Sequence, residues 1–361
     1  MITKQQINHV SRLIEQNLSK PDFSIIGGYH GVNLGDIALG ESVKLVLKDL
    51  NLKGGLQTIY NIDRWPWPNT KYTIIGGGAV GYTSSLLKIK KKLSSNYGKL
   101  AFLGVDFNEF EYNDDILKML KEAAWISCRS EYQAQRLEEI TGRKDITFHP
   151  DLVFSYRREE CEALRKSKKE KTLLVNVVPL YADISNGKFV PVEKYREERP
   201  ELYKNFDLMI ESYKKGVQTV VKNALKEGFT VESVPFTPED AEAANILLEG
   251  LAVKHNVYDE NVYKMLKKIG AAQRIFATRY HATILGIKAG AELVPMAYAT
   301  KNDKLLIELG VSEDRFISSI NLAEGTDVFP EPIKINDAVV KEWEYASAET
   351  IKKVVRKMQA N

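Results

Sequence analysis

The chain has 361 residues, 44% hydrophobic and 27% charged, a composition typical of soluble globular proteins and a length that suggests two domains, each able to bury its own core. A net charge of +3 gives no global electrostatic support for a nucleic-acid partner. No apolar run approaches the ~18 residues that span a bilayer, no signal peptide is visible, and two cysteines outside any CxxC spacing, Cys128 and Cys161, fit a reducing cytosol and argue against structural zinc.

Ile7 to Leu18 has the pattern of a short helix, and Phe23-Ser-Ile-Ile26 that of a buried strand running into Gly27-Gly-Tyr-His-Gly-Val-Asn-Leu-Gly-Asp36. Asp36 can cap the next helix, whose Leu39, Val43, Val46, Leu47 and Leu50 recur at helical spacing. Gln57–Tyr60 and Tyr72–Ile75 are the next predicted strands, and between them Trp65-Pro-Trp-Pro68 is too proline-rich for regular structure. The Gly27–Asp36 turn, glycine-rich between a strand and a helix, marks a doubly wound domain without being a strict GxGxxG, and the second of these strands enters Gly76-Gly-Gly78. Strands at Ala101–Val105 and Trp125–Cys128 follow, with a helix at Ile116–Ala124 between them. Ser130 and Gln133 then open a helix that Gly142 closes, and Ile146–His149 is a further strand.

Residues Arg157 to Lys171 are dense in charge and read as a solvated linker. Beyond them the pattern restarts: a strand at Leu173–Val178, a long helical face from Leu202 to Ala224 closed by Gly228, and a strand at Thr230–Pro235. Thr237 with Pro238 opens a helix extending to Leu251. A short strand at His255–Val257 and a helix at Asn261–Ile269 lead to the stretch on which the chain is organised, Ala277-Thr-Arg-Tyr-His-Ala-Thr-Ile-Leu-Gly-Ile-Lys-Ala-Gly290. It reads as strand end, tight turn and a helix ended by Gly290, followed by the strand at Glu292–Ala297. Arg279 and His281 then stand where a parallel strand gives way to a helix, and the unsatisfied N–H groups and dipole there favour an anion. Lys301 precedes another helix, and Ile335–Gln359 forms one or two C-terminal helices packing back on the body.

Strand and helix alternate twice over. The expected fold is α/β, two Rossmann-like domains with parallel sheets facing across a cleft, over residues 1–160 and 171–330 with a helical tail at 331–361. Reactive residues lie at the carboxyl ends of such strands. Collected there are Asn33, Gly35, Asp36, Gly77, Gly78, Arg129, Asp240, Arg279, His281 and Lys301. A Ser-His-Asp spacing, HExxH, a P-loop and a DxD pair in a strand–loop context are missing, so hydrolase, metalloprotease and metal-dependent sugar-transfer readings have no positive support, and no metal is expected. Three cations, Arg129, Arg279 and Lys301, suit a small substrate with two anionic groups, the guanidinium taking a carboxylate bidentately. Arg129 has Glu131 or Glu138 as an alternative partner. Loop aromatics Tyr29, Trp65, Trp67 and Tyr82, with His30, suit a sugar ring on the first domain's side. His149 and His255 have the setting of structural histidines.

Taken together, Gly31-Val-Asn-Leu-Gly-Asp-Ile-Ala38, Ile75-Gly-Gly-Gly78, Cys128-Arg-Ser130, His149-Pro-Asp-Leu-Val-Phe154, Val234-Pro-Phe-Thr-Pro-Glu-Asp240, Thr278-Arg-Tyr-His-Ala282 and Tyr298-Ala-Thr-Lys301 resemble the polysaccharide pyruvyl transferase family, in the family's order. The resemblance implies a GT-B-like fold and transfer of pyruvate from phosphoenolpyruvate onto a sugar as a ketal, with release of phosphate and no further cofactor. It also implies that Arg129, Arg279, His281 and Lys301 bind phosphoenolpyruvate and that Asp240 is an acid/base candidate. Ser130 stands where the family usually shows an Asp, and Tyr29-His30 is unusual in the glycine turn. The implied setting is cytoplasmic, with peripheral membrane association if the acceptor sugar is lipid-linked. A glycosyltransferase using a nucleotide sugar, and a noncatalytic carbohydrate- or anion-binding protein, are the competing readings.

Overall fold

Runs of β-branched and aromatic residues, buried on both faces, form the central strands of two parallel sheets. The computed structural model describes residues 18–29, 31–62, 70–93, 97–107 and 109–360, with Ile7, Val10, Ser11, Ile14 and Glu15. The chain divides into two units, Met1–Arg158 with Lys341–Asn361, and Glu159–Val340.

In the first unit, β1 (Phe23–Gly27), α1 (Leu34–Asp49), β2 (Gly54–Thr58), β3 (Tyr72–Gly78), α2 (Thr83–Leu93), β4 (Leu100–Val105), α3 (Asp114–Glu122), β5 (Trp125–Cys128), α4 (Glu131–Thr141) and β6 (Thr147–Phe148) follow one another. The strands lie in the order β2-β1-β3-β4-β5-β6, all parallel. Strand direction of growth reverses between β1 and β3, and the carboxyl ends of those two strands are where such a sheet opens a binding crevice. Both carry the glycine-rich turns.

The second unit contains α5 (Arg158–Lys166), β7 (Glu170–Asn176), the hairpin β8 (Ala182–Ser185) and β9 (Lys188–Pro191), α6 (Glu193–Glu198), α7 (Pro200–Tyr203), α8 (Phe206–Lys226), β10 (Thr230–Ser233), α9 (Pro238–Leu247), α10 (Val262–Ala271), β11 (Ala272–Ala277), α11 (Tyr280–Ala289), β12 (Glu292–Ala297), α12 (Thr300–Glu308), β13 (Ile317–Ser318) and α13 (Ser319–Ala323). Its main sheet runs β10-β7-β11-β12-β13, again parallel. This repeats the first unit's winding, with the reversal between β7 and β11. On one face Met209, Tyr213, Val217 and Val221 of α8 pack on Leu173, Val175, Phe276 and Val294 of the sheet.

Several expected boundaries move, each for a physical reason. The charge-dense segment is no solvated linker: Arg158–Lys166 is helical and β7 begins at Glu170. Two of its cations are spent on helix ends. The Lys169 ammonium donates to the carbonyls of Leu164, Gly270 and Ala289 at 2.9, 2.6 and 2.8 Å, one near the end of each of α5, α10 and α11. Arg165, 8% exposed, donates to the Lys288 carbonyl at 2.8 Å. Both place positive charge where the helix dipole is negative, and both hold the far end of the helix that begins at Arg279. The C-terminal tail is one helix, α14 (Asp337–Ala360), most of which belongs to the first unit rather than forming a separate segment from 331. There Trp343 meets Phe154 edge-on with centroids 5.1 Å apart, and Lys353 and Lys357 lie over the Trp125 ring.

The strand expected at Gln57–Tyr60 pairs with β1 from Gly54 instead and gives way to a short 3-10 turn at Ile59. The long face from Leu202 breaks at Lys204–Asn205 into α7 and α8. His255–Val257 forms no strand; only a single bridge between Glu232 and Lys254 precedes it. The β8–β9 hairpin was not legible, because its four-residue strands carry too few apolar positions to show a period. Among the described residues, no helix is long and apolar enough to cross a membrane.

Candidate active site

In the second unit, three chain segments meet at the carboxyl ends of β7, β11 and β12. Asn176, the last residue of β7 and fully buried, accepts the backbone N–H of Arg279 on Oδ1 at 2.8 Å and donates from Nδ2 to the Val234 carbonyl at 3.0 Å. That fixes the turn after β11. The Arg279 side chain then lies along α9: Nε donates to Asp240 at 3.0 and 3.1 Å, and Nη2 to Asp240 Oδ1 at 2.6 Å and to Thr237 Oγ1 at 3.0 Å. Thr237 is also the N-cap of α9, accepting from the Asp240 N–H. Among the described residues Nη1 makes no hydrogen bond, so one edge of the fork stays open. Burial opposes the charge on Arg279, but the Asp240 carboxylate outweighs it and raises the guanidinium's pKa.

Asp240 was expected as an acid/base. Its side chain is fully buried, takes the Arg279 fork and accepts the Phe236 N–H at 3.0 Å. A carboxylate so enclosed and so engaged holds Arg279 in place.

His281 lies in the first turn of α11, 7% exposed, its ring edge-on to Tyr280 at 5.2 Å. Lys301 is in the first turn of α12, exposed, with Nζ 5.4 Å from the Tyr280 ring and 6.0 Å from that of Tyr298. No carboxylate among the described residues pairs with it. Asn302, buried beside it, donates to the Thr278 carbonyl at 3.0 Å and so ties the start of α12 to the residue before Arg279. Neither α11 nor α12 has a side-chain cap at its N-terminus, whereas α1, α3, α4, α9 and α10 all do. Two uncapped helix starts, the open edge of one guanidinium and an unpaired ammonium therefore share this end of the sheet. That arrangement favours an anion.

In the first unit, Arg129 follows the end of β5, with its side chain 7% exposed. Nη1 donates to Asp106 at 3.0 Å, and Nη2 lies 2.7 Å from Asp151. The alternative partners Glu131 and Glu138 are not the ones used. Asn33 caps α1 by accepting the Gly35 N–H at 3.0 Å, and Asp36 sits in that helix's first turn. A Cβ on Gly28 would come within 3.3 Å of the Asp36 carboxylate, while Gly77 and Gly78 take positive φ of 68° and 82° opposite it, a conformation that suits glycine.

Tyr29 corrects an expectation. Its ring is fully buried, and its hydroxyl donates to the Gly76 carbonyl. A Cβ at Gly27, Gly40 or Gly76 would lie 2.5–2.8 Å from the Tyr29 side chain. These glycines make room for a buried tyrosine, so no ring face is left for a sugar. Burial first, then the Asp36 charge, pushes the phenol's pKa upward. Tyr82 is 39% exposed; Trp65, Trp67 and His30 lie outside the described residues.

His149, 2% exposed, is held down to about 4, mainly by burial. Its folded value is below that of the unfolded chain, so the stability it contributes is complete above about pH 6.5 and is lost as pH falls through the folded value, a loss on the order of 3 kcal/mol. Denaturation midpoints should drop across that window in the native protein. A His149→Gln variant should flatten the drop; an unchanged slope would remove His149 as its cause.

Residues missed from sequence are Asn176, Asn302, Asp106 and Asp151 in this supporting role. Asn176 had a signal, a lone amide closing an otherwise apolar strand.

No curated protein matches the chain. Among solved structures, it is similar to the UDP-GlcNAc 2-epimerase from Neisseria meningitidis bound to UDP-GlcNAc, with 8% identity over 94% of this chain and 99% of that one and a TM-score of 0.49. It is also similar to the E. coli heptosyltransferase WaaC with ADP, with 10% identity over 76% and 87% of the two chains and a TM-score of 0.38. The family model described as polysaccharide pyruvyl transferase matches residues 33–300, a span holding the Gly76–Gly78 turn, Arg129, Asp240, Arg279 and His281. The chain belongs to the polysaccharide pyruvyl transferase family of transferases.

Proposed function

We propose that the protein transfers pyruvate from phosphoenolpyruvate to a pair of hydroxyls on a sugar, forming a ketal and releasing inorganic phosphate. The observation that supports this reading is the second unit's cationic cradle, with Arg279 held by Asp240 and Lys301 over the neighbouring Tyr280 ring with no carboxylate partner among the described residues. A three-carbon substrate bearing both carboxylate and phosphate needs two separate cationic contacts, and the cradle supplies them.

In the proposed reaction His281 delivers a proton to the methylene carbon, which becomes a methyl group. The adjacent carbon, now electron-poor, is attacked by one sugar hydroxyl. A second hydroxyl displaces phosphate, which carries away the phosphoryl oxygen, and the two hydroxyl protons pass to the proton donor and to phosphate. Arg279 and Lys301 stabilise the negative charge on the departing group, assisted by the positive dipole ends of α11 and α12. Arg129 is proposed as a further contact to the donor, and Asn33, Asp36 and the Gly77–Gly78 turn as acceptor-side elements. The acceptor is a sugar of a polysaccharide or of its lipid-linked precursor.

The test is phosphate release from phosphoenolpyruvate, followed against a panel of free and lipid-linked glycans. Release that requires a glycan supports the reading. Turnover of a nucleotide sugar, with phosphoenolpyruvate inert, would replace it with glycosyl transfer.

A further inference from the structure

Past the end of β7, Leu180 and Tyr181 take φ of 42° and 60°. Two consecutive non-glycine residues in the left-handed region cost about 1–2 kcal/mol each, and such strain persists only where surrounding contacts impose it. The contacts are specific. The Tyr203 hydroxyl donates to the Tyr181 carbonyl, the Ala182 N–H closes a turn onto the Pro179 carbonyl at 3.0 Å, and Leu180 is 1% exposed. The result aims the Tyr181 side chain at the β12–α12 turn. Its hydroxyl donates to the Tyr298 carbonyl at 2.9 Å, and its ring lies 6.0 Å from that of Tyr298. Behind it stand Tyr195, edge-on at 5.4 Å, and the Arg199 guanidinium at 5.8 Å. Tyr298 in turn supports Lys301 and stands just before Ala299, the residue from which α12 starts without a side-chain cap.

We propose that Tyr181 is a positioning residue for the donor site: its hydroxyl fixes the turn that presents Lys301 to the anion. The ring is half-buried against Tyr195, Tyr298 and Arg199 and its hydroxyl is spent on the Tyr298 carbonyl, so it acts through Lys301 rather than on a ligand. This rests on the reading of the cradle as a phosphoenolpyruvate site.

Tyr181→Phe removes the hydroxyl and keeps the ring. Phosphoenolpyruvate affinity, read by calorimetry, should weaken about five- to tenfold, the value of one hydrogen bond. The KM for phosphoenolpyruvate should rise by a similar factor with kcat little changed. Introduced into Lys301→Ala, the same substitution should add almost nothing, because the two residues act as one unit. Affinity equal to wild type in Tyr181→Phe, or the same loss with and without Lys301, would overturn the proposal while leaving the cradle standing. No binding of phosphoenolpyruvate by the wild-type protein would overturn both.

Discussion

Replacing Arg279 by glutamine is expected to lower kcat/KM for phosphoenolpyruvate by about 10²–10³-fold, the usual consequence of deleting one aligned charge contact to a departing oxyanion. The size of the effect follows from how the residue is held. Its backbone N–H is fixed by Asn176, and Nε and Nη2 are taken up by Asp240 and Thr237. The free Nη1 edge therefore points in one direction, and a neutral amide cannot replace the charge or the geometry. Steady-state kinetics of phosphate release checks this. A loss smaller than tenfold would remove Arg279 from the donor site.

The second large effect belongs to Asp240. With a fully buried carboxylate facing a guanidinium that is 20% exposed, Asp240→Asn leaves a mostly buried cation without its counter-charge. Breaking such a pair costs about 3–5 kcal/mol, and the partial exposure of Arg279 places the expected loss at about 3 kcal/mol. Chemical denaturation should show it as a lower midpoint at unchanged slope. Activity should fall as well, because Arg279 loses its hold, but the pH dependence of the remaining activity should keep its shape. A proton-transferring Asp240 would instead erase one limb of that profile. The double variant Arg279→Gln/Asp240→Asn should regain most of the stability and none of the activity, since replacing both partners leaves no orphaned charge. Stability and activity recovering together would mean that the pair serves the fold alone.

The division between what was legible and what was not follows the range of the interactions. β1, β3, β4 and β5 could be found in the sequence because strands buried on both faces show as continuous apolar runs. The placement of Arg279 and His281 followed from local signals, a strand end and a helix closed by Gly290 in the left-handed conformation. What those residues touch did not follow. Asp240 is 39 positions from Arg279, and Asp106 is 23 positions from Arg129; both pairings depend on which strands become neighbours, and no local pattern encodes that. Charge alone suggested Glu131 or Glu138 for Arg129, since neighbours on a helix are the pairs a sequence displays. Tyr29 misled for a related reason. A tyrosine in a glycine-rich turn looks exposed, and the space that buries it comes from glycines on β1, α1 and β3. The segment around Lys169 looked like a solvated run because two of the three carbonyls Lys169 caps belong to helices more than a hundred residues on.

The central claim is that this cradle delivers pyruvate to a sugar as a ketal. Mass spectrometry of the glycan after incubation with phosphoenolpyruvate measures it most directly. The expected product carries one pyruvate less one water, formed in equal amount to the phosphate released and missing when Arg279 is replaced. Phosphate released with free pyruvate as the partner product and an unmodified glycan would contradict it.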